Sequence, residues 1–160
     1  MYQLSYIKFE EEDFDVYLRI VSSDDVMKYI TGKAPNLEES KIRFNNIIKS
    51  NTEHNLGGFF KIYEKGNIIG LGKLAKYDKE ENTYEVGYIL MEDYWGMGYG
   101  TTICKDLIQF ARNNELANYV MAMIHPDNIA SKRILTKNGL QSYFVGVENN
   151  LLTEKLRLKL

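Results

Sequence analysis

The amino-acid sequence predicts a single α/β domain spanning residues 1–160, with a mixed, mostly antiparallel central sheet of about seven strands flanked by about four helices. Three observations lead to this fold class. Strand-like segments are interspersed with segments of helical periodicity. Three of the strand-like segments follow one another with only short turns between them, as in an antiparallel meander. A glycine-rich turn then joins the third of these strands to an amphipathic helix.

The first part of the chain is predicted to contain one strand and three helical segments. Residues 2–9 alternate as a strand does, and residues 11–30 contain two helical pieces with apolar residues at helical spacing. Gly32 and Pro35 then interrupt the chain. Asn36 and Glu39 have the spacing of a capping box, which predicts a third helix that ends near Ser50.

The rest of the chain supplies six further strands and two helices. Residues 59–64, 68–77 and 83–91 form the meander, joined by turns at 65–67 and 78–82. A helix follows the glycine-rich turn, because Ile103, Leu107, Phe110 and Ala111 recur at helical spacing. The remaining elements are a strand at 119–124, a helix at 128–137 and two strands at 140–147 and 152–160.

Composition excludes several classes of function. A net charge of −2 and a pI near 5.8 lack the basic excess of a nucleic-acid binder, so we expect no nucleic-acid partner. No apolar run reaches the roughly 20 residues that span a bilayer, so we expect no membrane association. Cys104 is the only cysteine, which fits a reducing cytoplasm, and we expect it to be a small buried residue. His54 and His125 are far apart, and no metal site is predicted.

The segment from Trp95 to Gly100 carries the clearest chemical signal. Glycines at 96, 98 and 100 let the backbone approach a ligand, and the following helix begins with unpaired N–H groups that favour a pyrophosphate. A glycine-rich turn without a ligand is the alternative. A dinucleotide-binding unit is rejected, because the spacing is not GxGxxG, an antiparallel meander precedes the turn, and the next strand ends at Ile124-His125-Pro126 without the ribose-binding acid.

Several motifs, in order and in register, resemble the ribosomal-protein N-terminal acetyltransferase-like branch of the GNAT superfamily of N-acetyltransferases. They are Glu85-Val86-Gly87-Tyr88-Ile89-Leu90, Tyr94-Trp95-Gly96-Met97-Gly98-Tyr99-Gly100-Thr101, Asn128-Ile129-Ala130-Ser131 and Lys137-Asn138-Gly139-Leu140. The N-terminal segments at 24–29 and 35–39 are similar to that branch as well. The resemblance therefore spans nearly the whole chain and implies a GNAT-like domain that uses acetyl-CoA as a co-substrate.

The resemblance also implies which residues bind acetyl-CoA. The strand at 83–91 is expected to splay from the strand at 119–124, so that the backbone of Ile89, Leu90 and Met91 pairs with the pantetheine arm and one N–H faces the developing oxyanion. The pyrophosphate is expected on Gly96, Met97, Gly98, Tyr99, Gly100 and Thr101. Asn128 is expected to bind pantetheine, and a simple N-cap role is its alternative, which can hold at the same time.

Two residues are candidates for catalysis. An alkylammonium group has a pKa of about 10, and Glu85 could accept its proton through water; an exposed strand residue or an ion pair is the alternative. Many GNAT enzymes have a tyrosine seven residues after the asparagine matched by Asn128, but Leu135 occupies that position here. The resemblance therefore assigns stabilisation of the leaving thiolate to Ser131, with a helix-surface serine as the alternative.

The predicted function is an acetyl-CoA-dependent N-acetyltransferase that transfers the acetyl group directly to a primary amine, either a protein N-terminus or a small-molecule amine. A non-catalytic CoA-binding or regulatory module is the alternative. The acidic residues at 10–15 and the pair Asp24-Asp25 could attract a cationic acceptor, or they form a solvated face. A homodimer is left open as the assembly.

Overall fold

Seven strands form one twisted sheet, in which the chain's first four strands are consecutive neighbours. The computed structural model describes residues 2–160. The strands are β1 (Leu4–Lys8), β2 (Gly58–Glu64), β3 (Asn67–Lys76), β4 (Thr83–Leu90), β5 (Tyr119–Ile124), β6 (Gln141–Glu148) and β7 (Leu151–Lys159). They lie in the order β1-β2-β3-β4-β5-β7-β6, and every neighbouring pair is antiparallel except β4 and β5. The predicted single α/β domain with a mostly antiparallel sheet is confirmed.

Helices cover both faces of this sheet. They are α1 (Phe14–Ile20), α2 (Asp24–Met27), α3 (Leu37–Glu53), α4 (Tyr99–Asn113) and α5 (Ile129–Lys137), and α2 is a single turn. One core contains Ile103 and Leu107 of α4 with Leu135 of α5, whereas a second core contains Tyr17 of α1 with Phe44 of α3. The two C-terminal helices therefore cover one face, and the three N-terminal helices cover the other.

The capping box predicted for α3 is present. Asn36 Oδ1 accepts a hydrogen bond from the Glu39 N–H at 2.9 Å, and the Asn36 N–H donates to the Glu39 carboxylate at 3.3 Å. The helix continues three residues beyond the predicted end, to Glu53. Asn51 explains the extra turn, because its side-chain amide bonds both the N–H and the C=O of Phe59 and so fastens this end of the helix to β2.

The hairpin between β2 and β3 is made by the predicted tight turn. Lys65 and Gly66 have φ values of 49° and 80°, and Glu64 pairs with Asn67 across the turn. Two consecutive residues with positive φ match the twist of the flanking strands. Over residues 2–160, no helix has both the length and the apolar character needed to cross a membrane.

Candidate active site

The sheet opens between its only two parallel neighbours. Strands β4 and β5 pair at three positions, from Thr83 opposite Tyr119 to Glu85 opposite Met121. Beyond Glu85 the two strands continue without pairing, so the predicted splay is present. A cavity of about 420 Å³ occupies the opening. Of the residues predicted to form the site, the cavity brings together Glu85, Ile89, Asn128 and Ser131.

Strand alternation decides which backbone groups of β4 face the opening. Thr83 and Met91 both bond to the β3 side, the first by accepting from the Tyr77 N–H at 2.9 Å and the second by donating to the Ile69 carbonyl at 3.0 Å. In an antiparallel ladder this pattern repeats every second residue, so the backbone of Ile89 also turns towards β3. Tyr88 and Leu90 therefore present their backbone groups to the opening.

The Met91 N–H donates to Ile69 of β3, its carbonyl accepts from the Tyr94 N–H at 3.0 Å, and the Ile89 backbone turns towards β3, so this register does not favour the predicted pairing of these two residues with pantetheine. Leu90 has the opposite orientation. Its carbonyl accepts a hydrogen bond from the indole Nε1 of Trp95 at 2.9 Å, which leaves the Leu90 N–H towards the opening. The N–H and C=O of Tyr88 are the other backbone groups of β4 that face it.

The glycine-rich turn leads into α4 and is separated from the end of β4 by one short 3-10 turn at Glu92–Tyr94. Gly96 and Gly98 have φ values of 71° and 90°, which L-residues rarely adopt. Gly98 is the N-cap of α4, and the first helical bond runs from the Thr102 N–H to the Gly98 carbonyl at 3.2 Å. The N–H groups of Tyr99 to Thr101 therefore lack helical partners, which makes this turn a suitable anion site.

Gly100 has a different reason to be glycine. It lies inside the first turn of α4 and is buried. A Cβ atom there would lie 2.7 Å from Ile134 Cδ1 and 3.4 Å from Tyr88 Cε2. Its small size lets α5 and the Tyr88 ring pack against the start of α4, so Gly100 couples the anion site to the wall of the cavity.

Asn128 and Ser131 lie together at the start of α5. Asn128 is the N-cap, and its Oδ1 accepts a hydrogen bond from the Ser131 N–H at 3.2 Å. The N-cap role that was the alternative for Asn128 is therefore present. It occupies the side-chain oxygen and leaves the Nδ2 group as the donor for a ligand in the cavity.

The Tyr88 phenol lies beside Ser131, a contact that was not predicted from the sequence. Its Oη lies 3.4 Å from Ser131 Oγ, and both side chains line the cavity. Burial raises the pKa of Tyr88 to about 12, although the contact with Ser131 acts in the opposite direction. The phenol therefore stays protonated at neutral pH. Leu135 is buried at the position where many GNAT enzymes have tyrosine.

Glu85 forms an ion pair, one of the alternatives for this residue. The Lys73 ammonium donates to its Oε2, and both side chains line the cavity with exposed fractions of 27% and 16%. Lys73 belongs to β3, diagonal to Glu85 in the antiparallel register. The carboxylate is therefore held at the cavity wall by a cation from the neighbouring strand.

The acidic residues near the N-terminus do not line the cavity, and two of them have other partners. Asp13 pairs with Lys61 at 2.8 Å, and Asp24 accepts from the Ala34 N–H at 2.8 Å. Cys104 is buried, as predicted, and burial raises the pKa of its thiol to about 12. In the part of the chain that the structure describes, no three acidic, histidine or cysteine side chains cluster as a metal site would require.

The sheet splays at one parallel pair, and the glycine-rich start of α4 follows the splayed strand after a short turn, as the resemblance to GNAT acetyltransferases implied. Residues 3–141 match the family model described as an acetyltransferase (GNAT) domain. The chain belongs to the GNAT acetyltransferase family, and it is an acyltransferase.

Relatives agree with this assignment. The uncharacterized N-acetyltransferase p20 of Bacillus licheniformis is 26% identical over 144 residues, covering 87% of this chain and 79% of the relative. RimL, a ribosomal L7/L12 alpha-N-protein acetyltransferase solved with coenzyme A, has a TM-score of 0.81 at 13% identity, covering 98% of this chain and 93% of that chain. A spermidine N-acetyltransferase from Vibrio cholerae, solved with CoA and spermine, has a TM-score of 0.80 at 14% identity, covering 98% and 95%.

Proposed function

We propose that this protein transfers the acetyl group of acetyl-CoA directly to a primary amine in the cavity between β4 and β5. The observation that carries the proposal is that Glu85 and Ser131 line one cavity. A proton acceptor for the amine and a hydrogen-bond donor for the leaving thiolate are the two groups that this reaction needs.

Acetyl-CoA supplies an activated thioester carbon, and three parts of the chain are proposed to hold it. The N–H groups from Gly96 to Thr101 bind the pyrophosphate at the positive end of α4. The Tyr88 and Leu90 backbone pairs with pantetheine in the manner of an added strand, and Asn128 donates to it. The CoA complexes of two structural neighbours support this choice of donor.

Glu85 is proposed to accept the amine proton through water. A primary alkylammonium has a pKa of about 10 and is mostly protonated at neutral pH, so attack on the thioester requires loss of that proton. The ion pair with Lys73 engages Oε2 and fixes the carboxylate at the cavity wall. This fixed position suits a group that must meet each incoming amine in the same place.

Ser131 is proposed to donate a hydrogen bond to the CoA thiolate as it leaves. Either hydroxyl of this pair can donate to the other, and we propose that the Tyr88 phenol, protonated at neutral pH, is the donor, so that the serine proton points into the cavity. Tyr88 thereby supplies a phenol to the site, which Leu135, at the position of the tyrosine in many GNAT enzymes, cannot supply.

The state of the only thiol supports direct transfer of the acetyl group to the amine. Cys104 is a free cysteine, buried and held protonated, and it does not line the cavity. A free thiol also suits the reducing cytoplasm that we propose as the setting.

The test of direct transfer is mass spectrometry after incubation with acetyl-CoA and a panel of primary amines. We expect acetylated amine, with the intact mass of the protein unchanged after acetyl-CoA alone. A stable acetyl adduct on Cys104 that passes to the amine would contradict direct transfer.

A further inference from the structure

The cavity carries a positive charge although the whole chain has a net charge of −2. Its charged lining residues are Arg43, Lys73 and Glu85, two cations and one anion, which leaves a net charge of +1. Glu85 and Lys73 are paired with each other. The charge that remains for a ligand is therefore that of Arg43, a solvent-exposed residue that also lines the cavity.

Arg43 lies on α3, one turn before Ile47, which is buried in the core beneath the cavity. This spacing directs both residues to the same face of the helix. Within residues 2–160, Arg43 makes no ion pair, whereas Lys41 and Lys49 of the same helix each pair with a glutamate. A guanidinium without a protein partner at a cavity wall can bind a carboxylate through two parallel hydrogen bonds.

Tyr17 adds a second polar group at the same wall. It belongs to α1, lines the cavity and packs against Phe44 of α3 with ring centroids 5.5 Å apart. Burial raises the pKa of Tyr17, and the positive charge of Arg43 acts in the opposite direction. Tyr17 and Arg43 line the same cavity, and the phenol and the guanidinium are both hydrogen-bond donors towards an anion.

The remaining walls describe the body of the ligand. They are mostly apolar or aromatic and include Met27, Ile30, Ile47, Phe59 and Leu71. A volume of about 420 Å³ lies at the small end of the range for ligand pockets, and part of it must hold the end of the pantetheine arm. Such a space suits a small apolar body better than a polyamine or an aminoglycoside, which would also meet the unpaired charge of Arg43.

We infer that the acceptor is an amine that also carries a carboxylate, an amino acid in chemical class, and that Arg43 binds this carboxylate. The inference rests on the proposed function, since it names the acceptor of the same reaction. The amine is directed to Glu85 and the carboxylate to Arg43, while the apolar walls contact the body between or beside them. Arg43 acts here as a specificity residue, which recognises the acceptor without touching the reacting atoms.

The test compares matched acceptors that differ only in the carboxylate. Phenylalanine is compared with phenethylamine, and aminocaproate with pentylamine, with rates expressed per concentration of neutral amine. We expect the carboxylate-bearing member of at least one pair to have a kcat/KM at least about tenfold higher, the effect of one charge-assisted hydrogen bond. Arg43→Gln should reduce this preference to within about threefold by raising the KM of the acceptor, while the KM of acetyl-CoA stays the same.

Lys41→Gln is the matched control, because it removes a cation from α3 that does not line the cavity. It should leave the preference intact, and Arg43→Lys should retain part of it. Equal use of both members in both pairs by the unaltered protein overturns the inference, as does a preference that survives Arg43→Gln. Exclusive use of peptide N-termini also overturns it, although acetyl transfer itself then stands. If no amine releases CoA, the proposed function and the inference fail together.

Discussion

At the scale of single residues, Ser131 and Tyr88 are proposed to act on the same step, the departure of the CoA thiolate. Ser131 Oγ is the group proposed to meet the leaving thiolate, and the Tyr88 phenol lies 3.4 Å behind it. Because one hydroxyl contacts the substrate and the other acts through it, the two side chains should not contribute independently.

Ser131→Ala should lower kcat by about tenfold to a hundredfold with little change in the KM of acetyl-CoA. The reason is loss of one hydrogen bond to a developing charge, which is stronger in the transition state than in the bound substrate. Steady-state kinetics with varied acetyl-CoA measure both parameters. A rise in KM without a fall in kcat would assign Ser131 to binding instead.

Tyr88→Phe should give a smaller fall in kcat, and the double variant with Ser131→Ala should be no slower than Ser131→Ala alone. The phenol works only through the serine, so its removal costs nothing once the serine is gone. A double-mutant cycle on kcat measures the coupling. Additive losses would separate Tyr88 from Ser131 and leave it as a packing residue against Gly100.

Glu85→Gln should lower kcat/KM for the acceptor by about a hundredfold near neutral pH, within the range of general-base catalysis. The loss in kcat/KM should shrink as the pH approaches the pKa of the amine, about 10, because a growing fraction of the amine is then neutral without a general base. A pH profile of both proteins measures this. Glu81→Gln, an exposed substitution before β4, is the control. Full turnover by Glu85→Gln at neutral pH would remove Glu85 from the mechanism.

At the scale of elements, the position of β4 depends on its close contact with β3. A Cβ atom at Gly70 would lie 2.0 Å from the carbonyl oxygen of Ile89, which is backbone and cannot move away alone. At Gly87 the same atom would find its nearest neighbour at 3.8 Å, an ordinary contact with Lys73. The two glycines therefore differ in what an added methyl group displaces.

Gly70→Ala should destabilise the protein by about 1 to 3 kcal/mol or more, because the added methyl group forces β4 away from β3. Gly87→Ala should change the free energy of unfolding by no more than about 0.5 kcal/mol. Urea unfolding of both variants measures the difference. Equal stability of the two variants would show that β3 and β4 separate there without cost.

The elements themselves were largely predictable, because long segments with clear periodicity and caps leave few alternatives. Residues 119–124 form a strand with the predicted bounds, and Asn36 caps α3 as expected. Which alternate residues of β4 turn their backbone groups towards β3 was not predictable. It depends on the register with β3, which the longer loop at 78–82 does not fix as a two-residue turn would. The ion pair between Lys73 and Glu85 depends on the same register and could not be read from the sequence.

At the scale of the whole molecule, a buried carboxylate joins the sheet to α5. Glu154 of β7 has a side chain only 3% exposed and pairs with Lys132 of α5 at 2.8 Å. The hydrogen bond from Lys132 lowers the pKa of Glu154 below its ordinary value of 4.5. Because the folded-state pKa is lowered, the stabilisation is complete above the ordinary value and is lost as the pH falls through the folded-state pKa.

Glu154→Gln should therefore destabilise the protein by about 1.5 to 3 kcal/mol near neutral pH, the contribution of a hydrogen bond to a charged group. Near pH 3 the difference from the unaltered protein should be smaller, since the carboxylate of the unfolded chain is then largely protonated and part of the stabilisation by the charged form is lost. Denaturant unfolding at the two pH values checks this. A constant difference would mean that the ionised form of Glu154 contributes nothing.

The whole molecule is an acyltransferase of the GNAT family, and the central claim is that its splayed cavity moves an acetyl group from acetyl-CoA to an amine. The most direct measurement is the release of free CoA thiol from acetyl-CoA with and without a panel of primary amines. We predict release that requires the amine, matches the amount of acetylated amine formed, and falls in Ser131→Ala. Stabilisation of the fold by acetyl-CoA together with no amine-dependent thiol release across the panel would contradict the claim.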